Sequence, residues 1–267
     1  MPKADSSGVS IHYQVHGEGP PLLLIMGFGQ SGDMWIPVLP YLEGFRAVFF
    51  DNRGTGRSDR PERGYTVADM ARDALAVLDA AGIERAHVYG VSMGGMIAQQ
   101  LALDAPERID RLVLGCTTAG LSAATFPDPE VPLRLVRAAE AMSRNPRESV
   151  ELLLPLLFPP EFLEGNPAVA QMLEMAIAAN PTPPETPAKV MEGIMTFDAA
   201  PRLGEVRAPT LVVHGDRDVI LPVENGRELA RRIPGARYLE IPGAGHAFMV
   251  QDPGGVHEKI VAFLRET

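Results

Sequence analysis

The chain has 267 residues, 46% of them hydrophobic, so it can bury a sizeable core in one large domain or two small ones. Its net charge of -10 disfavours binding to nucleic acids or anionic membranes, which needs clustered Lys and Arg. No apolar run approaches the roughly 20 residues of a membrane-spanning helix, and residues 1–7 lack the apolar core of a signal peptide. We therefore expect a folded cytoplasmic protein that binds neither nucleic acid nor membrane.

Apolar runs alternate with amphipathic stretches through the first 118 residues, a pattern typical of parallel strands linked by helices. Several runs are apolar on both faces, as expected for a sheet covered by helices on each side. A helix is predicted at residues 67–81, because its apolar side chains share one face and Thr66 and Asp69 have capping-box spacing. A second helix is predicted at residues 96–105. The predicted strands are residues 10–15, 21–26, 46–50, 87–89 and 111–116.

A different pattern follows, in which strand signals vanish and proline becomes dense between about residues 119 and 200. We predict four short helices there, separated by Pro-rich turns. They are residues 132–142, 148–156, 167–178 and 187–196. Strands resume at residues 210–214 and 237–241, and a helix is predicted at 256–265. Because the strands continue, we expect residues 119–200 to form a helical cap inserted into one core of residues 1–118 and 201–267.

A candidate nucleophile lies in residues 90–95, Gly-Val-Ser-Met-Gly-Gly, after a short predicted strand. The Gly-x-Ser-x-Gly spacing lets the backbone turn so tightly that the hydroxyl of Ser92 is pushed out above the sheet. A strand-to-helix turn of this kind is typical of serine nucleophiles. The alternative is a glycine-rich turn whose serine has no catalytic role.

A nucleophilic serine needs a base to accept its proton, and six histidines compete for that role. His246 is our candidate, because it lies in a glycine-rich loop directly after the last predicted strand. His214 ends a strand, where we expect it to cap or pack. The other four precede or occupy early strands or lie on the final helix: His12, His16, His87 and His257.

The carboxylate that orients the base should lie between serine and histidine in the chain, at the carboxyl end of a strand. Two aspartates follow residues 210–214, and we prefer Asp218, because the loop needs room before a carboxylate can reach the imidazole. Asp216 is the alternative, although it suits the turn itself. The other strand end, after residues 111–116, offers no carboxylate before Asp128.

Acyl transfer also needs N–H donors for the oxyanion that develops on the substrate. The amide of Met93, directly after the serine at the start of a helix, should provide one. The second should come from Phe28, because Gly27 and Gly29 let its backbone turn inward. The alternative is that these glycines only make the loop flexible.

Five segments together resemble the α/β-hydrolase superfamily in its capped serine esterase and lactonase branch, and the chain is similar to hydrolases of the 3-oxoadipate enol-lactonase type. Apart from the cap, the resemblance covers nearly the whole chain and implies a mostly parallel central sheet flanked by helices. The segments are residues 26–29, 51–58, 90–95, 215–218 and 245–246.

The resemblance also implies roles for the candidate residues. Ser92 would be the nucleophile, His246 the general base and then acid, and Asp218 the orienting carboxylate. Phe28 and Met93 would supply the oxyanion hole. The chain departs from the family at Met26, where a histidine often precedes the first oxyanion glycine, so any hydrogen bonds of that histidine are missing.

Neither a metal nor a cofactor is predicted. Residues 53–56, Arg-Gly-Thr-Gly, lack the third glycine and the lysine of a nucleotide-binding loop, so we interpret them as a structural turn. His214 and Asp216 have no third metal ligand nearby. Cys116 is the single cysteine, which excludes an intramolecular disulfide and suits a small buried hydrophobe.

The expected substrate is a small or medium apolar ester or lactone, cleaved through an acyl-enzyme. Methionine and phenylalanine side chains of the cap suit an adaptable apolar pocket, although most of them could simply pack the cap helices together. Candidate pocket residues near the catalytic loops are Trp35, Val219, Ile220 and Phe248. Alternatives are carbon–carbon bond hydrolysis or perhydrolysis by the same triad, and a ligand-binding protein without turnover. Ser92 argues against dehalogenases, which carry aspartate there.

Overall fold

The computed structural model describes residues 2–251 and 253–266 and contains an eight-stranded sheet of order β1-β2-β4-β3-β5-β6-β7-β8. The pairs β1–β2 and β2–β4 are antiparallel, and the remaining pairs are parallel. This sheet confirms the predicted fold class, and each predicted strand overlaps an observed one. The strands are β1 (Lys3–Ser6), β2 (Val9–His16), β3 (Pro21–Ile25), β4 (Arg46–Phe50), β5 (Ala86–Val91), β6 (Ile109–Gly115), β7 (Thr210–Gly215) and β8 (Arg237–Ile241).

The helices agree with the sequence patterns wherever an apolar face is wide. The helix at Glu224–Arg232 was not predicted, because its sequence is dominated by charged residues and only Asn225, Gly226 and Leu229 are buried. The short edge strand β1 was also not predicted. The helices are α1 (Val67–Ala80), α2 (Met93–Asp104), α3 (Glu130–Ala141), α4 (Pro146–Leu157), α5 (Pro160–Gly165), α6 (Ala168–Ala179), α7 (Thr186–Ile194), α8 (Glu224–Arg232), α9 (Phe248–Gln251) and α10 (Pro253–Leu264), with a 3-10 segment at Gly32–Leu42.

Both faces of the sheet are buried, as the doubly apolar strands predicted. Leu23 and Ile25 of β3 join the hydrophobic cluster that contains α1 and α2. Their neighbours Leu22 and Leu24 join the opposite cluster, which contains Trp35 and the apolar side chains of α10. The predicted capping box at the start of α1 is present. No helix in the described part of the chain is long and apolar enough to cross a membrane.

Helices α3 to α7, which we call the inserted helices, lie between β6 and β7 in the chain. Five helices form where four were predicted, because the six-residue α5 begins at Pro160, the second residue of a Pro-Pro pair, where proline suits the first turn of a helix. The connection between α6 and α7 contacts loops of the sheet: Thr182 donates to the Gly29 carbonyl at 2.7 Å, and Asn180 to Asp33 at 2.6 Å. The division into a 119–200 cap and a core of 1–118 and 201–267 stays a prediction.

The Arg53 turn is structural in this fold. The Arg53 guanidinium donates two hydrogen bonds of 2.6 Å to the carboxylate of Asp73 on α1, and both side chains are buried. A paired, buried guanidinium of this kind is not available to a phosphate ligand. The ion pair instead holds the loop after β4 against α1.

We expect Asp73→Ala to lower the free energy of unfolding by about 3 to 5 kcal/mol, because Arg53 would stay buried without its counter-charge. Urea denaturation followed by circular dichroism measures this loss. The matched control is Glu151→Ala, which removes the exposed partner of Arg147 and should leave stability close to that of the wild type. Similar effects in both variants would show that the Arg53 pair is not a structural anchor.

Candidate active site

Ser92 occupies a sharp strand-to-helix turn between β5 and α2, with φ 55° and ψ −124°. A serine in this region of backbone space is strained and persists only where its surroundings hold it. The Ser92 amide donates to the Gly115 carbonyl at 2.9 Å, and the Ser92 carbonyl accepts from the Thr117 hydroxyl at 2.7 Å. Thus the chain at the end of β6 bonds to both the amide and the carbonyl of Ser92 and fixes the turn.

The glycines of the turn are required by close backbone approach. A Cβ atom on Gly94 would collide with the Ile25 carbonyl oxygen at the end of β3, and one on Gly90 would collide with the Gly94 carbonyl. A Cβ on Gly95 would lie 2.6 Å from Thr117. The helix α2 can therefore start at Met93, three residues before the predicted start, because its first turn packs directly against the sheet.

His246 and Asp218 form a hydrogen-bonded pair at the carboxyl end of the sheet. Nδ1 of His246 lies 2.7 Å from Oδ2 of Asp218, and both side chains are buried. Asp218 follows β7, and His246 follows β8 in its glycine-rich loop. The geometry leaves Nε2 of His246 as the imidazole nitrogen that is not used by this aspartate.

The surroundings of Asp218 hold it in the ionised form. Its Oδ1 accepts hydrogen bonds of 2.9 Å from the amides of Ile220 and Leu221, and its Oδ2 lies 3.3 Å from Nε2 of His214. Burial by itself raises the pKa of this carboxyl, but the neighbouring His246 and the hydrogen bonds from both histidines outweigh it and lower the pKa to about 2. A stable carboxylate is what a neighbouring imidazolium needs.

Two neighbours of Asp218 have separate roles: His214 within β7 and Asp216 in the loop that follows it. Asp216 is exposed, and its carboxylate accepts from the amide of Gly243 at 2.7 Å, which ties two loops together. His214, expected only to cap or pack, in fact contacts both Asp218 and the Leu221 carbonyl, the latter at 2.8 Å. Its side chain is enclosed because Gly226 of α8 leaves room for the ring.

Two amide donors lie next to Ser92 without protein acceptors. Among the described residues, the N–H groups of Phe28 and Met93 donate to no backbone or side-chain acceptor. The loop that carries Phe28 is close to the serine, since a Cβ on Gly27 would lie 3.6 Å from Oγ of Ser92. Unpaired amides at this position can bind a negatively charged oxygen.

Hydrogen bonds from outside the loop hold the Phe28 segment on both sides. Before it, the buried Asn52 amide donates to the Met26 carbonyl at 3.0 Å. After it, Thr182 donates to the Gly29 carbonyl. Sequence reasoning missed both residues, because a single threonine in a Pro-rich connection carries no motif. Asn52, however, lies within residues 51–58, one of the five segments that carry the family resemblance, so the sequence did offer a signal for it.

Ser92 lies where two apolar cavities meet. The larger cavity, of about 220 Å³, is bounded by helices α3 and α7 and by the loop after β6. The smaller cavity, of about 110 Å³, contains His246 and the side chains of α4 and α9. Both cavities contact Phe28, Ser92, Leu135 and Ile220.

Of the four predicted pocket residues, only Ile220 lines these cavities. Trp35 is fully buried and packs edge-on against Tyr89 at 4.9 Å, on the sheet face covered by α10. Phe248 is also fully buried, and Val219 is 46% exposed on the surface. Proximity in sequence to the candidate loops was misleading here, because Trp35 and Phe248 pack into the hydrophobic cluster on the α10 side of the sheet instead of facing Ser92.

Some of the Met and Phe residues between positions 119 and 200 line the larger cavity, and the others lie elsewhere. Met191, Met195, Phe126 and Phe197 line the larger cavity. Five others line neither cavity: Phe158 stacks on Phe162 at 5.1 Å, Met142 is buried, and Met172 and Met175 are exposed.

Cys116 is buried, with φ 40°, and lines the smaller cavity. One ligand atom each from Cys116, Asp218 and His246 lies within 4.8 Å of the other two, a spacing that a metal ion could bridge. Such an ion would have to replace the hydrogen bond between Asp218 and His246. Burial and the charge of Asp218 also raise the pKa of the Cys116 thiol well above its usual value, so the thiolate ligand is disfavoured. This cluster suits an acid–base pair better than a metal site.

Residues 20–253 of the chain match a family model described as the alpha/beta hydrolase fold. A protein named "Putative carbamate hydrolase RutD" from Azorhizobium caulinodans is 33% identical over 267 residues, which cover 100% of this chain and 99% of that protein. The enol-lactonase from Burkholderia xenovorans LB400 is 31% identical, with a TM-score of 0.86 and coverage of 99% and 100%. An esterase from Rhodococcus sp. ECU1013 is 29% identical, with a TM-score of 0.84 and coverage of 98% of each chain.

These similarities extend over the segments that carry Ser92, Asp218 and His246, and they support a hydrolase of this fold. The eight-stranded sheet and the turn at Ser92 agree with them. The chain therefore belongs to the α/β-hydrolase superfamily, in its esterase- and lactonase-like branch.

Proposed function

We propose that the protein is a serine hydrolase that cleaves a small or medium apolar carboxylic ester or lactone through an acyl-enzyme. One observation carries the proposal: a strained serine shares a cavity with a buried histidine–aspartate pair and lies beside two unpaired amides. Nucleophile, base, orienting acid and oxyanion donors are the complete set that acyl transfer requires.

In this mechanism His246 accepts the proton of Ser92 as Oγ attacks the carbonyl carbon, and Asp218 stabilises the imidazolium that forms. The carbonyl oxygen becomes an oxyanion bound by the amides of Phe28 and Met93. The carbon–oxygen bond to the leaving alcohol then breaks, and His246 returns the proton to that oxygen. Water repeats the sequence on the acyl-enzyme, releasing the acid and free Ser92.

The cavity walls favour an apolar acyl or alkyl group. Their linings contain no Lys, Arg, Asp or Glu side chain. Carbamate, the substrate class in the name of the Azorhizobium relative, is a small anion, and neither cavity has a Lys or Arg side chain in its lining to pair with it. The enol-lactonase and esterase relatives agree better with these walls. Carbon–carbon hydrolysis or perhydrolysis would use the same triad and is the second candidate.

The inserted helices would act as a cap under this proposal, with residues 119–200 covering a core of residues 1–118 and 201–267. Side chains of α3 and α7 wall the larger cavity, and side chains of α4 and α6 contribute to the smaller one. Selectivity would therefore depend on the cap, while the reacting groups lie on the core. A protein that only binds its ligand would not need the strained turn at Ser92.

A fluorophosphonate probe tests the nucleophile directly. We expect covalent labelling of the wild-type protein and its loss in Ser92→Ala, as measured by intact-protein mass spectrometry. Ser122→Ala is the control. Ser122 is exposed and donates a hydrogen bond to Asp198, which is not part of the Asp218–His246 pair, so labelling should persist. A wild-type protein that is folded but unlabelled would contradict the enzyme proposal and favour a binding protein.

The aspartate assignment is tested by a matched pair of substitutions. Asp218→Asn should lower kcat for a short apolar ester by about 10³-fold or more, because an amide no longer stabilises the imidazolium. Asp216→Asn keeps an oxygen that can accept from Gly243, so its kcat should stay within about twofold of the wild type. Equal losses in the two variants would overturn the assignment of Asp218.

Thr182 is proposed as a positioning residue for the oxyanion loop. Thr182→Val removes its hydrogen bond to Gly29, so kcat should fall about tenfold with KM little changed, less than the loss of a direct oxyanion donor. Thr182→Ser should restore the rate. Thr186→Val is the control, since its buried hydroxyl donates to Gly54 instead, at 3.1 Å. Steady-state kinetics that showed the same fall in both valine variants would indicate a general packing effect.

A further inference from the structure

The two cavities at Ser92 differ in which reacting group they contact. Met93, whose amide is one of the unpaired donors, lines only the larger cavity, whereas His246 lines only the smaller one. Ser92 and Phe28 contact both. A substrate carbonyl at Ser92 therefore has one open space on the side of Met93 and another on the side of His246.

This asymmetry fixes the orientation of an ester, given the proposed function. The general acid must lie within hydrogen-bond reach of the leaving oxygen, so the alcohol part must extend along the cavity that contains His246. The acyl chain must then extend into the larger cavity. We propose that the preferred substrate is a neutral, open-chain ester with a medium apolar acyl chain and a small alcohol.

The shape of the site supports an open-chain substrate. Leu135 from α3 and Ile220 from the loop after β7 border both cavities, so they lie between the two spaces at Ser92. An open chain can extend one arm into each space. A small lactone joins its acyl and alkoxy parts in a single ring and cannot occupy both spaces at once.

The polar groups of the larger cavity support a neutral acyl chain. Thr118, one of its few polar lining residues, is buried and already donates its hydroxyl hydrogen to Asn225 at 2.9 Å. Asn225 also binds the backbone of Thr125, so it holds this wall together rather than facing a ligand. A carboxylate on the acyl chain would lie against apolar walls without a cationic partner, which is unfavourable.

Isomeric esters test the orientation, because they have the same composition. Methyl heptanoate should be hydrolysed with kcat/KM about tenfold or more above that of hexyl acetate, since each methylene accommodated in an apolar cavity is worth about fourfold. Monomethyl adipate should be at least about 100-fold worse than methyl hexanoate. A preference for hexyl acetate, or equal use of the charged ester, would overturn the inference.

Two matched substitutions locate each arm of the substrate. Ile194 on α7 lines only the larger cavity, Leu157 on α4 lines only the smaller one, and both are half-buried. Ile194→Phe should shorten the preferred acyl chain and leave the alcohol preference in place. Leu157→Phe should shorten the preferred alcohol and leave the acyl preference in place. The reverse pattern would overturn the assignment of the two cavities.

The outcomes separate this inference from the proposed function beneath it. If Ser92 is labelled and esters are hydrolysed but the chain-length preferences are exchanged, only the substrate orientation is wrong. If a small lactone is hydrolysed with a higher kcat/KM than methyl heptanoate, the open-chain preference is wrong and the hydrolase proposal stands. If neither labelling nor hydrolysis of any ester or lactone occurs, the proposed function fails and the orientation fails with it.

Discussion

The conformation of Ser92 is the constraint on which the rest of the site depends. A positive φ at a serine is unfavourable by itself, by about 1 to 3 kcal/mol, so the fold must hold it. Three features do so. Glycines let α2 touch the end of β3, the Ser92 amide donates a hydrogen bond to the Gly115 carbonyl, and the Thr117 hydroxyl donates one to the Ser92 carbonyl. All three act at the carboxyl ends of β3 and β6, the two strands that flank β5, so the centre of the sheet holds the turn.

The charge at Asp218 is the second requirement, and it is met by a different means. Burial alone would favour the neutral acid, which could not stabilise an imidazolium. Two backbone amides and two histidines instead surround the carboxylate with donors. His214 is thus part of the support for the pair although it does not line either cavity around Ser92. Replacing Asp218 removes the charge itself, whereas replacing His214 removes only one of the groups that stabilise this charge.

The sequence predicted the sheet well, and it correctly located Ser92, Asp218 and His246 after their strands, because both follow from short-range patterns. The catalytic roles of these three residues stay a prediction. Strands that are apolar on two faces and a serine between glycines are local signals, and each lies where it was expected. The pocket was predicted poorly: Ile220 lines it, but Trp35, Val219 and Phe248 do not. Which way a loop side chain points depends on contacts between distant segments, and periodicity carries no information about them.

Helix α8 is a second feature that sequence periodicity did not reveal. Its one fully enclosed leucine, Leu229, gives too narrow an apolar face for a pattern to be recognised. The helix nevertheless supplies Asn225, which bonds to Thr118 and Thr125 of the larger cavity, and Gly226, which leaves room for His214. Polar residues with structural roles of this kind are identified only when their partners are known.

The loop that carries Phe28 connects the inserted helices to the surroundings of Ser92. Thr182 lies in the connection between α6 and α7 and holds Gly29, one residue beyond Phe28, while nearby Asn180 bonds to Asp33. Asp33 in turn accepts from Arg57, which also donates to Asp51, and Asp51 accepts from the Gly32 amide. The inserted helices and their connections therefore line the cavities at Ser92 and also hold the loop that carries the unpaired Phe28 amide. Under the proposed function, a substrate that displaced these helices would change the rate of the chemical step as well as its own affinity.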